Sequence, residues 1–347
     1  MRVGKENYAH AMSVKSFLES ETNENLGYHY GYIIYRWCHK NDNLKNMNPK
    51  IQNFWVVKKN HMGFSRGQKI MNKNDMENFV KQGGKVREIF CHDKETRKIM
   101  NELNNKLSSL QYINQHGFIK DRDIFTNFEA MSQFCQRNNF TGSFASIDLS
   151  DAFNQISQEQ VYSIFRFIFE LNSKDAQELS SKCCMHGHLF QGNVLAPFLF
   201  NIWSLRIYAI LTRFKGWNQN FIVYNYADDF TILVRYQTFS MKFLRIIHKI
   251  FNSIGFKTNK AKTKIGNSQN LSSCGLCYRH NNGTMRVQPT KGMSRLKNNI
   301  RLWNYLESIG IESTRRMNKV GSKIFLTDMK NGLENWYNRL YNFQPIS

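Results

Sequence analysis

Two adjacent carboxylates, Asp228 and Asp229, stand in Tyr226-Ala227-Asp228-Asp229 between the apolar runs Phe221-Ile222-Val223-Tyr224 and Phe230-Thr231-Ile232-Leu233-Val234. Paired carboxylates at the tip of a β-hairpin suit a hard divalent cation, which takes oxygen ligands. The same tetrapeptide also describes an ordinary hairpin with a solvated turn, since Asp is a common turn former. A metal site for phosphoryl chemistry therefore needs another carboxylate upstream.

Asp148 supplies one. Phe144-Ala145-Ser146-Ile147 reads as a short strand with Asp148 at its end. Ser157-Gln158-Glu159-Gln160 then has the form of a capping box, and Val161, Ile164, Phe165, Ile168 and Phe169 recur at helical spacing behind it. A strand-end carboxylate beside a paired one can hold two cations about 3.5–4 Å apart, the arrangement of in-line phosphoryl displacement. Two Mg²⁺ ions are the expected cofactors, with Mn²⁺ as a substitute.

The elements that must position these carboxylates follow from periodicity. After Ala196-Pro197, apolar residues Leu199, Ile202, Trp203, Leu205 and Ile210 predict a long helix with Pro in its first turn. A second amphipathic helix covers Phe239 to Ile254. Strand, helix, helix, hairpin, helix, strand is the order of a split βαβ sheet. Upstream, the alternating run Asn53 to Lys59 and the run Lys85 to Phe90 predict a further β-sheet. From about Lys291 the pattern is helical and basic, with Leu296, Ile300 and Trp303 at core spacing. Residues 1 to about 50 hold a polar helical candidate and the aromatic stretch Tyr28 to Trp37, which reads either as core or as a stacking platform for single-stranded nucleic acid.

Lys plus Arg is 48 against 26 Asp plus Glu, so the formal charge of +22 predicts salt-sensitive attraction to polyanions, nucleic acid first among them. From Gly255 to Tyr305 there are ten Lys or Arg residues and no acid, with Tyr278, Trp303 and Tyr305 interleaved, which favours a nucleic-acid groove over a solvated face. Lys257, Lys260, Lys264, Arg279, Arg286, Lys291, Arg295, Lys297 and Arg301 are its candidate contacts. No apolar stretch reaches about 18 residues and no signal peptide opens the chain, so a cytoplasmic protein without a membrane partner is expected. An odd set of seven cysteines at irregular spacing fits reduced thiols. Cys183-Cys184-Met185-His186-Gly187-His188 reads as a buried thiol pair followed by a loop, or as a metal cluster; Cys274-Gly275-Leu276-Cys277 lacks a second pair at zinc spacing.

Asp148-Leu149-Ser150-Asp151-Ala152-Phe153 resembles motif A of reverse transcriptases, Gln191-Gly192-Asn193-Val194-Leu195-Ala196-Pro197 with Asn201 resembles motif B, and Tyr226-Ala227-Asp228-Asp229 resembles motif C. Lys85-Val86-Arg87-Glu88-Ile89 and Gly117-Phe118-Ile119-Lys120-Asp121-Arg122 are similar to the fingers motifs, and Gly255-Phe256 to Lys262-Thr263 to motif D. The resemblance implies an α+β right-hand polymerase: an N-terminal extension (1–50), fingers with part of the palm (51–140), a palm with a split βαβ, RRM-like antiparallel sheet (141–285), and a helical thumb (286–347). It implies RNA-directed DNA synthesis, with RNA, the DNA product and deoxynucleoside triphosphates as partners. Untemplated or self-primed synthesis and a non-catalytic RNA-binding role are the rival readings.

By the same resemblance Asp148, Asp228, Asp229 and the Leu149 carbonyl hold the metals, and Lys262 is the acid for pyrophosphate departure. Lys85, Arg87 and Arg122 take the triphosphate. Ala152, Phe153, Gln191 and Gly192 line the nucleotide, with Phe153 crowding the sugar 2′ position. Phe190 stands where Pro is common and Ala196 where Ser is common. The motif forms resemble bacterial retron, group II intron-like and defence-associated reverse transcriptases. Asn127-Phe128-Glu129-Ala130-Met131 and Ser273-Cys274-Gly275 depart from the retron pattern and turn the expectation toward a stand-alone defence enzyme working with a non-coding RNA. A second protein encoded nearby and a homo-oligomer are compatible with that placement.

Overall fold

A computed structural model describes residues 3–41, 51–59, 61, 63–64, 67–122, 124–137, 142–235 and 241–267, and the backbone of strands at 271–273, 276–281 and 284–289. Helix α1 (Lys5–Thr22) is followed by a π-helical turn (Gly27–Gly31) that runs into α2 (Tyr32–Lys40). Next come β1 (Ile51–Val57), β2 (Lys69–Ile70), α3 (Lys73–Lys81), β3 (Val86–His92), α4 (Lys94–Leu107) and α5 (Ile124–Arg137). The central part comprises β4 (Ser143–Asp148), α6 (Gln158–Ser163), α7 (Ser173–Cys183), the short hairpin β5 (Cys184–Met185) and β6 (His188–Leu189), and α8 (Ala196–Leu211). Then follow β7 (Phe221–Tyr226), β8 (Asp229–Val234), α9 (Met241–Ser253), β9 (Lys264–Asn267), β10 (Leu271–Ser273), β11 (Leu276–Asn281) and β12 (Thr284–Pro289).

The palm sheet has the order β7-β8-β4-β9 with every neighbour antiparallel, as the split βαβ order predicts. Strands β4, β7 and β8 are buried along almost their whole length, so helices must cover them. Helix α8 supplies much of that cover and has its predicted Pro in the first turn; Trp203 and Tyr208 on it are fully buried. The Ser157 capping box forms both reciprocal bonds, at 3.2 and 2.8 Å. Val161, Ile164, Phe165, Ile168 and Phe169 are all buried, although the helix widens into a π-turn over Ile164–Ile168.

The aromatic stretch near the N-terminus is core in part. Tyr30, Ile34 and Trp37 join the same core as the palm helices, while Tyr28, Tyr32 and Tyr35 stay exposed. Gly31 packs so tightly on the Phe169 carbonyl that a Cβ would lie 2.1 Å from it. The fingers strands form a separate three-stranded sheet, β2-β1-β3, over Trp55, Val57, Ile70 and Phe79. Cys183 and Cys184 are buried where α7 gives way to the β5-β6 hairpin, and burial pushes the Cys183 thiol up to about 12. The predicted basic helical segment, with Lys291, Arg295, Lys297 and Arg301, lies outside the described residues, as does Cys274-Gly275.

Candidate active site

The register of the palm sheet brings the carboxylates together. Asp148 at the end of β4 is directly opposite Asp229 at the start of β8, and Asp228 precedes it in a two-residue turn closed by the Tyr226–Asp229 pair. Like charges placed opposite each other on paired strands repel, so the arrangement calls for a cation. Burial, followed by repulsion from Asp148 and Asp229, raises the Asp228 carboxyl above its ordinary value, while its own backbone N–H and Arg87 act the other way. Arg87 is exposed on β3, so its field reaches the site from the fingers.

One cation is already present. The Lys262 ammonium donates to Asp148 Oδ2 at 2.8 Å, while Ser146 Oγ donates to Asp229 Oδ1 at 3.1 Å. Among the described residues no group of three or more His, Cys, Asp and Glu side chains stands ready to hold an ion by itself. Mg²⁺ is usually held by one or two carboxylates together with substrate phosphates and water. The donor set therefore fits a divalent ion on Asp148 and Asp228, once Lys262 has left Asp148.

The turn carrying Asp228 is clamped from several sides. Ala227 adopts a left-handed φ of +54°, a conformation that costs a non-glycine residue about 1 kcal/mol. Its carbonyl accepts from Asn225 Nδ2 at 2.9 Å, and Asn225 Oδ1 accepts from the Tyr208 hydroxyl at 2.7 Å. Both Asn225 and Tyr208 are fully buried. Leu149 N–H donates to the Asp228 carbonyl at 3.2 Å, which ties the motif A strand to the turn. Gly117 abuts the turn so closely that a Cβ there would meet Ala227 N at 1.9 Å. Nothing in the sequence pattern singled out Asn225 or Tyr208; only Asn225, polar within an apolar strand, offered a signal.

Other expected residues are placed with varying closeness. Arg122 has a structural employment: its Nη1 donates to the carbonyls of Tyr112 and Gln115, both at 2.6 Å, and of Ile113 at 3.3 Å. Those carbonyls belong to the irregular segment that runs beside β7, where Asn225 N–H donates to Asn114 and His116 N–H donates to Asn225. Gly192 needs its φ of +107° and its missing Cβ, but the backbone it approaches is the Phe90 carbonyl, 2.2 Å from where a Cβ would sit. Phe90 N–H donates to Gln191, so the motif B loop is stitched to the fingers. Ala152 is buried and Phe153 partly so. Lys85, Lys257, Lys260 and Lys264 are exposed, and Arg279 and Arg286 pair in register on β11 and β12.

An antiparallel sheet thus ends in opposed carboxylates, and the field of Arg87 on β3 reaches them. The profile of the reverse transcriptase (RNA-dependent DNA polymerase) family matches residues 71–278, and the chain belongs to that family. No curated protein matches the chain. Among solved structures it is similar to telomerase from Candida albicans in complex with a TWJ fragment of telomeric RNA, at 14% identity and a TM-score of 0.42 over 63% of this chain and 48% of that one. Telomerase from Candida tropicalis in complex with the same kind of fragment gives 11%, 0.44, 65% and 50%. The apo Candida tropicalis enzyme truncated from its C-terminal domain gives 10%, 0.42, 68% and 64%. The chain thus spans about half the length of the first two and less than two thirds of the third.

Proposed function

We propose that this chain synthesises DNA on an associated non-coding RNA, with Asp148, Asp228 and Asp229 forming a two-metal centre. The observation that carries this reading is the register: it opposes Asp148 to Asp229 beside a half-buried Asp228 with a raised pKa. When bound, divalent cations would supply activation of the primer 3′-hydroxyl and charge neutralisation at the leaving oxygen. Asp148 and Asp228, with the Leu149 carbonyl, would hold them. Asp229, restrained by Ser146, shapes the field from the adjacent strand.

Lys262 has two stations in this scheme. It stands on Asp148 in the free protein, and on substrate binding it turns to protonate the departing pyrophosphate. Lys85 and Arg87 neutralise the triphosphate from the fingers. Phe153 excludes a ribose 2′-hydroxyl, and exposed Lys257, Lys260 and Lys264 attract the nucleic-acid backbone. Residues 51–140 act as fingers, 141–285 as palm and 286–347 as thumb.

Asp228→Asn tests the centre: we expect DNA synthesis to fall by at least about 10³-fold while RNA binding is kept, because a carboxylate that holds metal is lost without a change of shape. Retained synthesis would overturn the assignment, and a product indifferent to template sequence would overturn RNA templating. The motif forms further support a bacterial, defence-associated enzyme acting in the cytoplasm. No helix among the described residues is long and apolar enough to cross a membrane. Phage challenge of bacteria expressing the wild-type chain or Asp228→Asn tests that role, with protection expected from the wild type alone.

A further inference from the structure

We infer that Phe118 determines sugar selectivity by pinning the ring of Phe153, an inference that rests on the proposed role of Phe153 at the sugar 2′ position. Phe118 is anomalous in two respects. Its side chain is 54% exposed, although a buried aromatic ring is worth far more to the fold than an exposed one. Its φ of +61° is left-handed, a genuine outlier for a bulky residue. Strain of this kind persists only where the surroundings impose it, and such residues cluster at functional sites.

The imposition comes from the residue before it. The Gly117 carbonyl accepts from Asn201 Nδ2 at 2.9 Å, and the Gly117 backbone lies against Ala227 in the carboxylate turn. Phe118 is therefore delivered to its place by motif B on one side and motif C on the other. Its ring stands 6.0 Å from that of Phe153, tilted by 51°. On its other side Phe153 meets Phe200 at 5.6 Å, and Phe200 meets Phe256 at 5.5 Å. Phe200 and Phe256 are buried in the core, whereas the exposed Phe118 is the outer wall. Remove that wall and the Phe153 ring gains room to turn away from the sugar.

The test measures kcat/KM for a deoxynucleotide and its ribonucleotide on one primer-template, in wild type, Phe118→Ala, Phe118→Tyr, Phe153→Ala and the double variant Phe118→Ala/Phe153→Ala. An aromatic contact of this kind corresponds to roughly a three- to tenfold loss of discrimination in Phe118→Ala. Phe118→Tyr, which keeps the ring, should retain discrimination, and the double variant should discriminate no worse than Phe153→Ala, since Phe118 acts through Phe153. Unchanged discrimination in Phe118→Ala together with a loss in Phe153→Ala would overturn the pinning while leaving the gate intact. Unchanged discrimination in Phe153→Ala would overturn the gate and the pinning with it. Additive losses in the double variant would also overturn the pinning. Melting temperatures verify that each variant is folded, and Phe118→Leu stands in for Phe118→Ala should the latter unfold, with the same loss expected and unchanged discrimination again overturning the pinning.

Discussion

Palm strands β4, β7 and β8 are buried up to their carboxylate ends, whereas fingers strands β1 and β3 are mostly exposed or partly covered, with Trp55, Val57 and His92 buried, and β1 packs over a four-residue cluster. The difference follows from what each must do. Carboxylates proposed to hold metal have to be placed within a fraction of an ångström, and here their strands are buried and their turn is clamped by Asn225, Leu149 and Gly117. Residues proposed to receive a triphosphate need reach and charge, and Lys85 and Arg87 are exposed on a thinner sheet joined to the palm through Phe90 and the Gln191-Gly192 loop. Damage to the palm should consequently appear in the chemical step, and damage to the fingers in substrate affinity.

The sharpest way to break this division is Asn225→Ala. It leaves the Tyr208 hydroxyl and the Ala227 carbonyl without their shared partner, freeing a strained turn beneath Asp228. We expect kcat to fall about 100-fold with little change in deoxynucleotide KM, because a displacement near 1 Å suffices for such a loss. Adding Ala227→Gly, which removes the cost of the left-handed φ, should restore part of the rate. Single-turnover kinetics measure both, and absence of rescue would show that the strut does more than hold that conformation. Arg87→Ala is the fingers counterpart. Losing one charge-assisted contact should raise deoxynucleotide KM roughly ten- to 100-fold with a smaller effect on kcat, measured in steady state. A purely kcat effect would erase the distinction between the two regions.

The same contrast governs what could be read without a structure. Asp148, Asp228 and Asp229 were legible because strand ends and a short turn are local features, and the buried face of α6 because a capping box and a 3.6-residue period announce it. The fingers strands were legible to within a few residues for the same reason. The strut was not, since it depends on Tyr208, Asn114 and Asn225 converging from three separate elements. The bonds of Arg122 Nη1 to three backbone carbonyls were not legible either, since a basic residue in a fingers motif looks the same with or without them. The Lys262–Asp148 pair joins β4 to the approach to β9, a proximity fixed by sheet order rather than by any local pattern.

A smaller effect probes what the palm's precision costs. The Asp228 carboxyl is raised by burial and by its carboxylate neighbours, so its contribution to stability is complete below the unfolded carboxylate pKa and is lost as pH rises through the folded value. Above the folded value the metal-free wild type thus carries an ionised, partly desolvated Asp228 that Asp228→Asn replaces with a neutral group of the same shape. The variant should melt about 1–3 °C higher than the wild type at pH 7 without divalent metal, the expected scale for a fraction of a kcal/mol to about 1 kcal/mol in a chain this large. The gap should close as pH falls below the carboxylate range, where the wild-type group is also neutral. It should narrow on adding Mg²⁺, which would stabilise the wild type more than the variant. Thermal melts across pH, with and without Mg²⁺, decide the matter. A lower melting temperature for the variant at pH 7, or a gap indifferent to pH, would mean that the turn's clamps rather than its charges set the stability of this end of the palm.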